Sequence, residues 1–335
     1  MTALTASPDR ILVPLDRSSL AEHAIPYAAA LAGPGGRLLL LEVVPDPEPA
    51  YGLFGKTVIE EDLLLRVCVD GARGALEVAA RRWGGLAPGT DIEVAVGDPA
   101  DEILRVATER RCGVIAMASH GRGSLGRWTY GSVADRVVRA ADRPVLVVRA
   151  HDREPALALP TINRLVVPLD GSAVAERALP VAAVAADRLR VPLRLVLALD
   201  VRTLADAAST GVYPETVLLR SLDPLRAAAT GYLQGQAERL EASGHRVSHE
   251  VREGSPGDEL LAATEPTDLV AMTTHGRGGV HRWLLGSVAD KLVRHGRAPV
   301  LLVRAGATPD AAPPGGGDHE GPEGHGAHVE GRDGA

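Results

Sequence analysis

The chain is one unit written twice. ILVPLDRSSLAEHAIPYAAALA begins at Ile11, and LVVPLDGSAVAERALPVAAVAA begins at Leu165. MASHGRGSLGRWTYGSVADRVVRAADRPVLVVRA from Met117 is answered by MTTHGRGGVHRWLLGSVADKLVRHGRAPVLLVRA from Met272. The offset is 154 residues at Asp16/Asp170 and 155 at Gly131/Gly286, so a whole domain is duplicated, not a short solenoid repeat. A length of 335 residues holds two such units at roughly 150 residues each.

Each unit alternates short apolar runs with amphipathic stretches. Strands are predicted at Ile11–Leu15, Leu38–Val44, Ile92–Val96, Val114–Ala118 and Val145–Val148. In the second unit they fall near Leu165–Leu169, Leu193–Leu199, Arg246–Val251, Leu269–Thr273 and Val300–Val303. Near-continuous Val/Ile/Leu runs fit parallel strands covered on both faces. Helical periodicity marks Leu20–Leu31, Val58–Trp83, Ala100–Arg110 and Val133–Ala140. The alternation predicts an α/β fold of two tandem doubly wound domains, built from right-handed βαβ crossovers. Pro144 and Pro299, opening the last strand of each unit, suit a sheet edge.

Aromatic residues are 3% of the chain, so the core must be built from Ala, Val, Leu and Ile. With a net charge of −7 and no basic block, nucleic acid is not the expected partner. Two cysteines, Cys68 and Cys112, make no disulfide framework. The N-terminus carries no signal-peptide pattern, and no apolar run approaches the ~20 residues of a membrane span. A cytoplasmic protein, without membrane contact, is expected. After residue 305 the composition turns to Gly, Pro, Asp, Glu and His, as expected of a disordered tail. The spacing of His319, His325 and His328 there fits no compact metal site.

In an open parallel sheet, ligands sit beyond the C-terminal strand ends where strand order reverses. Two segments per unit reach that rim. Asp16 and Asp170 follow the first strand, where a carboxylate can accept from a base or a ribose, or equally cap the next helix with Ser18 or Ser172. The second segment is His120-Gly121-Arg122-Gly123 leading to Gly131-Ser132, matched by His275-Gly276-Arg277-Gly278 and Gly286-Ser287. Glycines admit a phosphate close to the backbone, and a helix start supplies free amides and a favourable dipole. The plain alternative is a serine helix cap at Ser132 and Ser287, with Asp135 and Asp290 one turn on. Gly97-Asp98-Pro99 and Gly254-Ser255-Pro256 form a third, turn-like element at the same rim. There is no Walker loop with its lysine, no pyrophosphatase loop and no HIGH-type motif, so an enzyme, at most a slow ATPase, has little support.

At these residues the sequence resembles the universal stress protein family, over about 8–150 and 162–305, with 306–335 left as tail. The family's loop runs Gly, two residues, Gly, nine residues, then Gly and Ser or Thr. The second Gly is Gly121 or Gly276, and the closing pair is Gly131-Ser132 or Gly286-Ser287. The first Gly is replaced by Ala118 and by Thr273.

The resemblance implies a Rossmann-like, adenine nucleotide alpha hydrolase-like fold with a five-stranded parallel sheet per unit. It implies ATP as ligand, leaving open whether Mg2+ accompanies it. Adenine would lie near Asp16 or Asp170, lined by Val43 and its counterpart Leu199, with Gly97 and Gly254 nearby. Phosphates would meet Gly121, Arg122, Gly123, Gly131, Ser132 and Val133, or Gly276, Arg277, Gly278, Gly286, Ser287 and Val288. Ala118, Ser119 and His120, or Thr273, Thr274 and His275, would flank the ribose. The two units would pair through their last strands, with a further homodimer left open. Ala118 and Thr273 also leave open a non-nucleotide interaction scaffold of the same fold. Arg17, where the second unit keeps Gly171, would narrow the first pocket.

Overall fold

The computed structural model describes residues 9–46, 61–87, 89–119, 131–150, 154–201, 215–274 and 285–304. Residues up to Ala305 form one compact unit that holds both repeats. In the first repeat the strands are β1 (Arg10–Pro14), β2 (Arg37–Val44), β3 (Thr90–Val96), β4 (Val114–Ser119) and β5 (Val145–Arg149). Its helices are α1 (Ala24–Ala32, after a single 3-10 turn), α2 (Glu61–Trp83), α3 (Pro99–Glu109) and α4 (Ser132–Ala140). The second repeat has strands β6 (Arg164–Leu169), β7 (Leu193–Leu199), β8 (Val247–Glu253), β9 (Asp268–Thr273) and β10 (Val300–Val303). Its helices are α5 (Ala173–Glu176), α6 (Ala178–Leu189), α7 (Glu215–Ala242), α8 (Pro256–Ala263) and α9 (Ser287–His295).

All ten strands belong to one sheet, ordered β3-β2-β1-β4-β5-β10-β9-β6-β7-β8. Pairing within each repeat is parallel, and the two halves join through the antiparallel pair β5 and β10, where Leu146 faces Leu301. The intramolecular pairing expected across the last strands is therefore present. Pro144 and Pro299, however, flank the middle of the sheet rather than its edge. Each precedes its strand, and its carbonyl still accepts from the neighbouring strand, at Ile115 and Val270 respectively. The lost N–H thus removes nothing from the ladder.

Side chains alternate across the strands and feed two cores, each running through both repeats. Ile11, Val13, Leu38 and Leu40 face α1 and α2, and Leu165, Leu193 and Leu195 share that core with α6 and α7. Leu12, Leu39, Leu41, Val166 and Val196 face α3, α4, α8 and α9 on the other side. Placing helices on both faces requires near-continuous apolar runs, which is why the strands read as they do. The inward face of α1 is mostly alanine, at Ala24, Ala28, Ala29 and Ala32. Small side chains let it lie close to the sheet and to α6 beside the join. Arg188 from α6 closes this contact, donating to the Ala32 carbonyl at 3.1 Å and pairing with Asp9. Across the join, Arg149 donates to the Gly296 carbonyl at 2.9 Å and Arg304 to that of Ala140 at 3.3 Å.

Candidate functional site

Strand order reverses between β1 and β4 in the first repeat, and between β6 and β9 in the second. The connections leaving the C-terminal strand ends there go to opposite faces, α1 to one and α4 to the other, which opens a crevice. Because β5 and β10 run antiparallel, the two crevices open at opposite ends of the sheet.

The first wall is built the same way in both copies. Asp16 Oδ1 accepts from the Ser18 amide at 3.0 Å and the Ser18 hydroxyl at 2.5 Å, and Ser18 Oγ accepts from the Ala21 amide at 3.1 Å. Asp170, Ser172 and Ala175 repeat this at 2.9, 2.6 and 3.1 Å. The aspartates thus do shape the turn into the next helix, through the serine. Each still stands at the rim, Asp16 exposed and Asp170 half-buried.

The opposite wall differs from the serine-cap expectation. The N-caps of α4 and α9 are Gly131 and Gly286, neither with a side-chain cap bond, and Ser132 and Ser287 are the first helical residues. Asp135 and Asp290 turn along their helices instead, accepting from Arg139 at 2.8 and 2.9 Å and from Arg294 at 2.6 Å. No capping oxygen comes from these residues, and among the described residues no side chain accepts from the first-turn amides of Ser132 and Val133 or of Ser287 and Val288, which lie at the positive end of the helix dipole. In the second copy the Gly286 amide is already spent on the Thr274 carbonyl at 2.7 Å, closing the loop onto β9. Ser119, Thr273 and Thr274 are buried at the strand ends, and Ala118 is half-buried.

Gly97 and Gly254 follow β3 and β8, and their amides extend the ladder to Val44 and Leu199 at 3.0 and 2.9 Å. Both have φ in the range that excludes most side chains, +137° and +146°. A carboxylate packs beside each: Glu102, held by Arg105, and Glu259, held by Arg252 at 2.8 Å. Asp98 caps α3 through the Ala100 and Asp101 amides at 3.0 and 3.1 Å. Arg136 of α4 bonds Asp98 at 2.7 Å and Asp101 at 3.0 Å, tying the two helix starts together. That bond, with the Asp101 amide, holds the Asp98 carboxyl below its ordinary range.

Two expectations change at β2. Register matches Pro14 with Leu41 and Pro168 with Val196, so Val43 corresponds to Ala198, and Leu199 corresponds to Val44. One position apart, Val43 and Leu199 face opposite sides: Val43 packs toward α3 and α4, Leu199 toward the core of the other face. Arg17 likewise does not enter the crevice. Its Nε donates to Glu42 Oε1 at 2.6 Å, and its guanidinium lies beside Gly71 of α2, on the α2 side of the sheet. Glu42 was not anticipated. It is 7% exposed and its Oε2 is buried without a hydrogen-bond partner. The available signal was a paired change between repeats: Arg17 and Glu42 against Gly171 and Leu197.

The structure therefore gathers Asp16, Val43, Gly97, Ala118, Ser119, Gly131, Ser132 and Val133 at one rim. Asp170, Gly254, Thr273, Thr274, Gly286, Ser287 and Val288 gather at the other. His120, Gly121, Arg122, Gly123, His275, Gly276, Arg277 and Gly278 lie outside the described residues, as does the tail. Among the described residues no cluster of His, Cys, Asp and Glu is arranged to hold a metal ion, and no helix is long and apolar enough to cross a membrane.

The model of the universal stress protein family matches residues 8–149 and again 161–304. The universal stress protein Rv2005c of Mycobacterium tuberculosis is 31% identical over 63% of this chain and 68% of its own. A universal stress protein of Mycolicibacterium smegmatis is 26% identical over 88% of this chain and 96% of its own. Among solved structures, a universal stress protein from Archaeoglobus fulgidus superposes with a TM-score of 0.63 at 22% identity. It covers 89% of this chain and 99% of its own, and shares the fold.

Proposed function

The chain belongs to the universal stress protein family, and from that premise we propose that it is an ATP-binding regulatory module working in the cytoplasm. The observation that carries this reading is the pair of helix starts, α4 and α9, whose N-cap is a glycine that offers no side-chain oxygen of its own to the first turn. Such a terminus, opposite a rim aspartate, suits a phosphate on one wall and a base or ribose on the other. The phosphates would take the amides of Gly131, Ser132 and Val133, with Gly121, Arg122 and Gly123 of the same loop, and adenine would lie toward Asp16 and Val43. In the second repeat Ser287 and Val288 would carry the phosphates with Gly276, Arg277 and Gly278, because the Gly286 amide is already engaged. The base there would rest against Asp170 and Ala198. Mg2+, if it accompanies ATP, would be held by the phosphates and the rim carboxylates.

Denaturing the freshly purified protein and identifying released nucleotide by mass spectrometry tests this reading, with calorimetry against added ATP beside it. ATP or ADP released, or a micromolar heat that Gly131→Val and Gly286→Val abolish, is the expected result. Neither release nor heat from the intact chain would sink it. A scaffold without nucleotide is the second reading, favoured by the buried Thr273 where the family loop has glycine. It is then the reading that survives, provided partner capture persists in the double valine variant.

A further inference from the structure

Helix α2 carries an apolar line on its solvent side. Of the seven exposed large apolar side chains among the described residues, three lie on this helix: Leu63, Val67 and Val78, at 52%, 61% and 58% exposure. At 3.6 residues per turn these three and Gly74 fall within an arc of about 60°, opposite the buried Ala72, Leu76, Ala79 and Trp83. Single exposed apolar side chains need no account, but a line of them along one helix does. Gly74 belongs to that line. A methyl group there would meet nothing within 4 Å, so the chain's own packing does not call for glycine in mid-helix.

The charges on one flank of this line are arranged end for end. Asp62, Arg66 and Asp70 stand in the first half of α2, and Arg73, Glu77 and Arg81 in the second. Read from either end the spacing is the same and every sign is reversed. All six are exposed. Within the chain Arg66 turns back to the Asp62 carbonyl at 3.1 Å, and Arg81 stands 3.8 Å from Glu77. Such exposed contacts are weak and compete little with a partner. The second repeat lacks the pattern: with Leu76 set on Leu233, the matching places of α7 hold Leu219, Asp223, Ala227, Thr230, Gln234 and Glu238.

We propose that α2 is the surface through which two copies of this chain pair, antiparallel about a twofold axis near Ala72. In such a pair each flank meets the same flank of the second copy. Asp62 then faces the second copy's Arg81, Arg66 its Glu77 and Asp70 its Arg73, and the reciprocal contacts follow. Every contact joins opposite signs. A parallel pair would instead set each charge against itself, so charge selects the antiparallel one. Val67 of each copy covers Val78 of the other, and Gly71 and Gly74 at the crossing let the helices approach closely. One helix pair is smaller than an obligate interface, which places the association in the micromolar range. The pairing needs no ligand.

Sedimentation equilibrium of the full, ligand-free chain should show monomer and dimer exchanging across the micromolar range, with the dimer weakened by salt. Val67→Glu with Val78→Glu, at side chains outside the core, should weaken pairing about a hundredfold. Arg73→Asp sets like charges face to face and should weaken it about tenfold, as should Asp70→Arg. Mixing those two single variants is the decisive arm. The chain with Asp70→Arg complements the chain with Arg73→Asp, so the mixture should dimerise at a concentration where neither does alone. Unfolding of each variant at submicromolar concentration should match the unaltered chain, which separates loss of pairing from loss of fold. A chain that sediments as a monomer throughout would overturn the proposal. So would a dimer indifferent to the two valine changes, or a mixture that pairs no better than its parts.

Discussion

The two rims share their framework and differ in what stands behind it. Asp16–Ser18 and Asp170–Ser172 make the same turn, and Gly131 and Gly286 open the same helix. Behind the first turn lies an ion pair; behind the second, glycine and leucine. Similar paired change recurs at the first helix of each repeat. Glu22 accepts from the Trp83 indole at 3.0 Å and pairs with Arg82, whereas its counterpart Glu176 accepts from Tyr232 and Gln236, both at 3.0 Å. The acceptor is kept and its donors are exchanged. Removing one member of a carboxylate pair strands the other, and in both places the two repeats differ at the carboxylate's partners.

The largest contrast is at the foot of the sheet. Arg164 grips Asp268 with bonds of 2.8 and 3.1 Å, the Glu265 amide adds one at 2.8 Å, and the Asp268 side chain is 1% exposed. In the first repeat the equivalent Arg10 reaches the open Asp91, which Arg37 shares. Asp268→Ala should cost about 3 kcal/mol in denaturant unfolding, against roughly 0.5 kcal/mol for Asp91→Ala. Equal costs would mean that burial does not separate the two pairs.

The join offers the next test. Leu301 is 1% exposed on β10, opposite Leu146 of β5. Leu301→Ala should cost about 2 kcal/mol. Cys112, fully buried in the first repeat with its thiol pushed up to about 11 by burial, reacts with alkylating agents only when its surroundings open. If the continuous cores make the repeats one cooperative unit, Leu301→Ala should speed Cys112 labelling on the order of tenfold or more. Labelling at an unchanged rate would show the first repeat opening alone.

Much of this was legible in the sequence because duplication prints every signal twice. The apolar runs gave the strands to within two residues at either end, most closely where a strand is buried on both faces; the polar edge strands β3 and β8 differ most. Rim residues followed from their place after strands. One correspondence was legible and missed: the resemblance set Val43 beside Leu199, whereas the runs Leu38–Val44 and Leu193–Leu199 laid side by side match Leu199 with Val44, which is one residue from Val43 and on the opposite face. What the sequence hid were consequences of joining. Pro144 and Pro299 read as edge markers because each repeat does end there; only the partner repeat moves that edge to the centre. Glu42, within LLLLEVV, reads as an interruption of a strand. Its partner lies in a turn 25 residues earlier, beyond any local pattern.

A smaller contrast separates the glycines after β3 and β8. A methyl group on Gly254 would stand 2.7 Å from a Glu259 carboxylate oxygen and 3.0 Å from its Cγ, whereas on Gly97 the nearest atom, Glu102 Cγ, is at 3.3 Å. With φ unfavourable in both, Gly254→Ala should cost about 2 kcal/mol and Gly97→Ala about 1 kcal/mol in thermal or denaturant unfolding. Reversal of that order would mean that Glu259 leaves its place freely and that Arg252 does not hold it.

The mildest difference is at the next residue, Asp98 in one repeat and Ser255 in the other. Asp98 caps α3 and takes Arg136 from α4, whereas Ser255 makes no side-chain cap bond, and α8 and α9 are tied by Lys291 and Asp258 at 2.6 Å. The Arg136 bond first, then the Asp101 amide, favour the charged carboxylate, so its folded value lies below its unfolded one. The stability it contributes is therefore complete above the ordinary aspartate range and disappears as pH falls through the lower, folded value. Asp98→Ser, which makes the first turn resemble the second, should lower the unfolding midpoint at neutral pH. The gap to the unaltered chain should close as the medium is acidified below about pH 4. Were Asp98→Ser equally mild at every pH, the tie between α3 and α4 would owe nothing to charge, and the two rims would be held by packing alone.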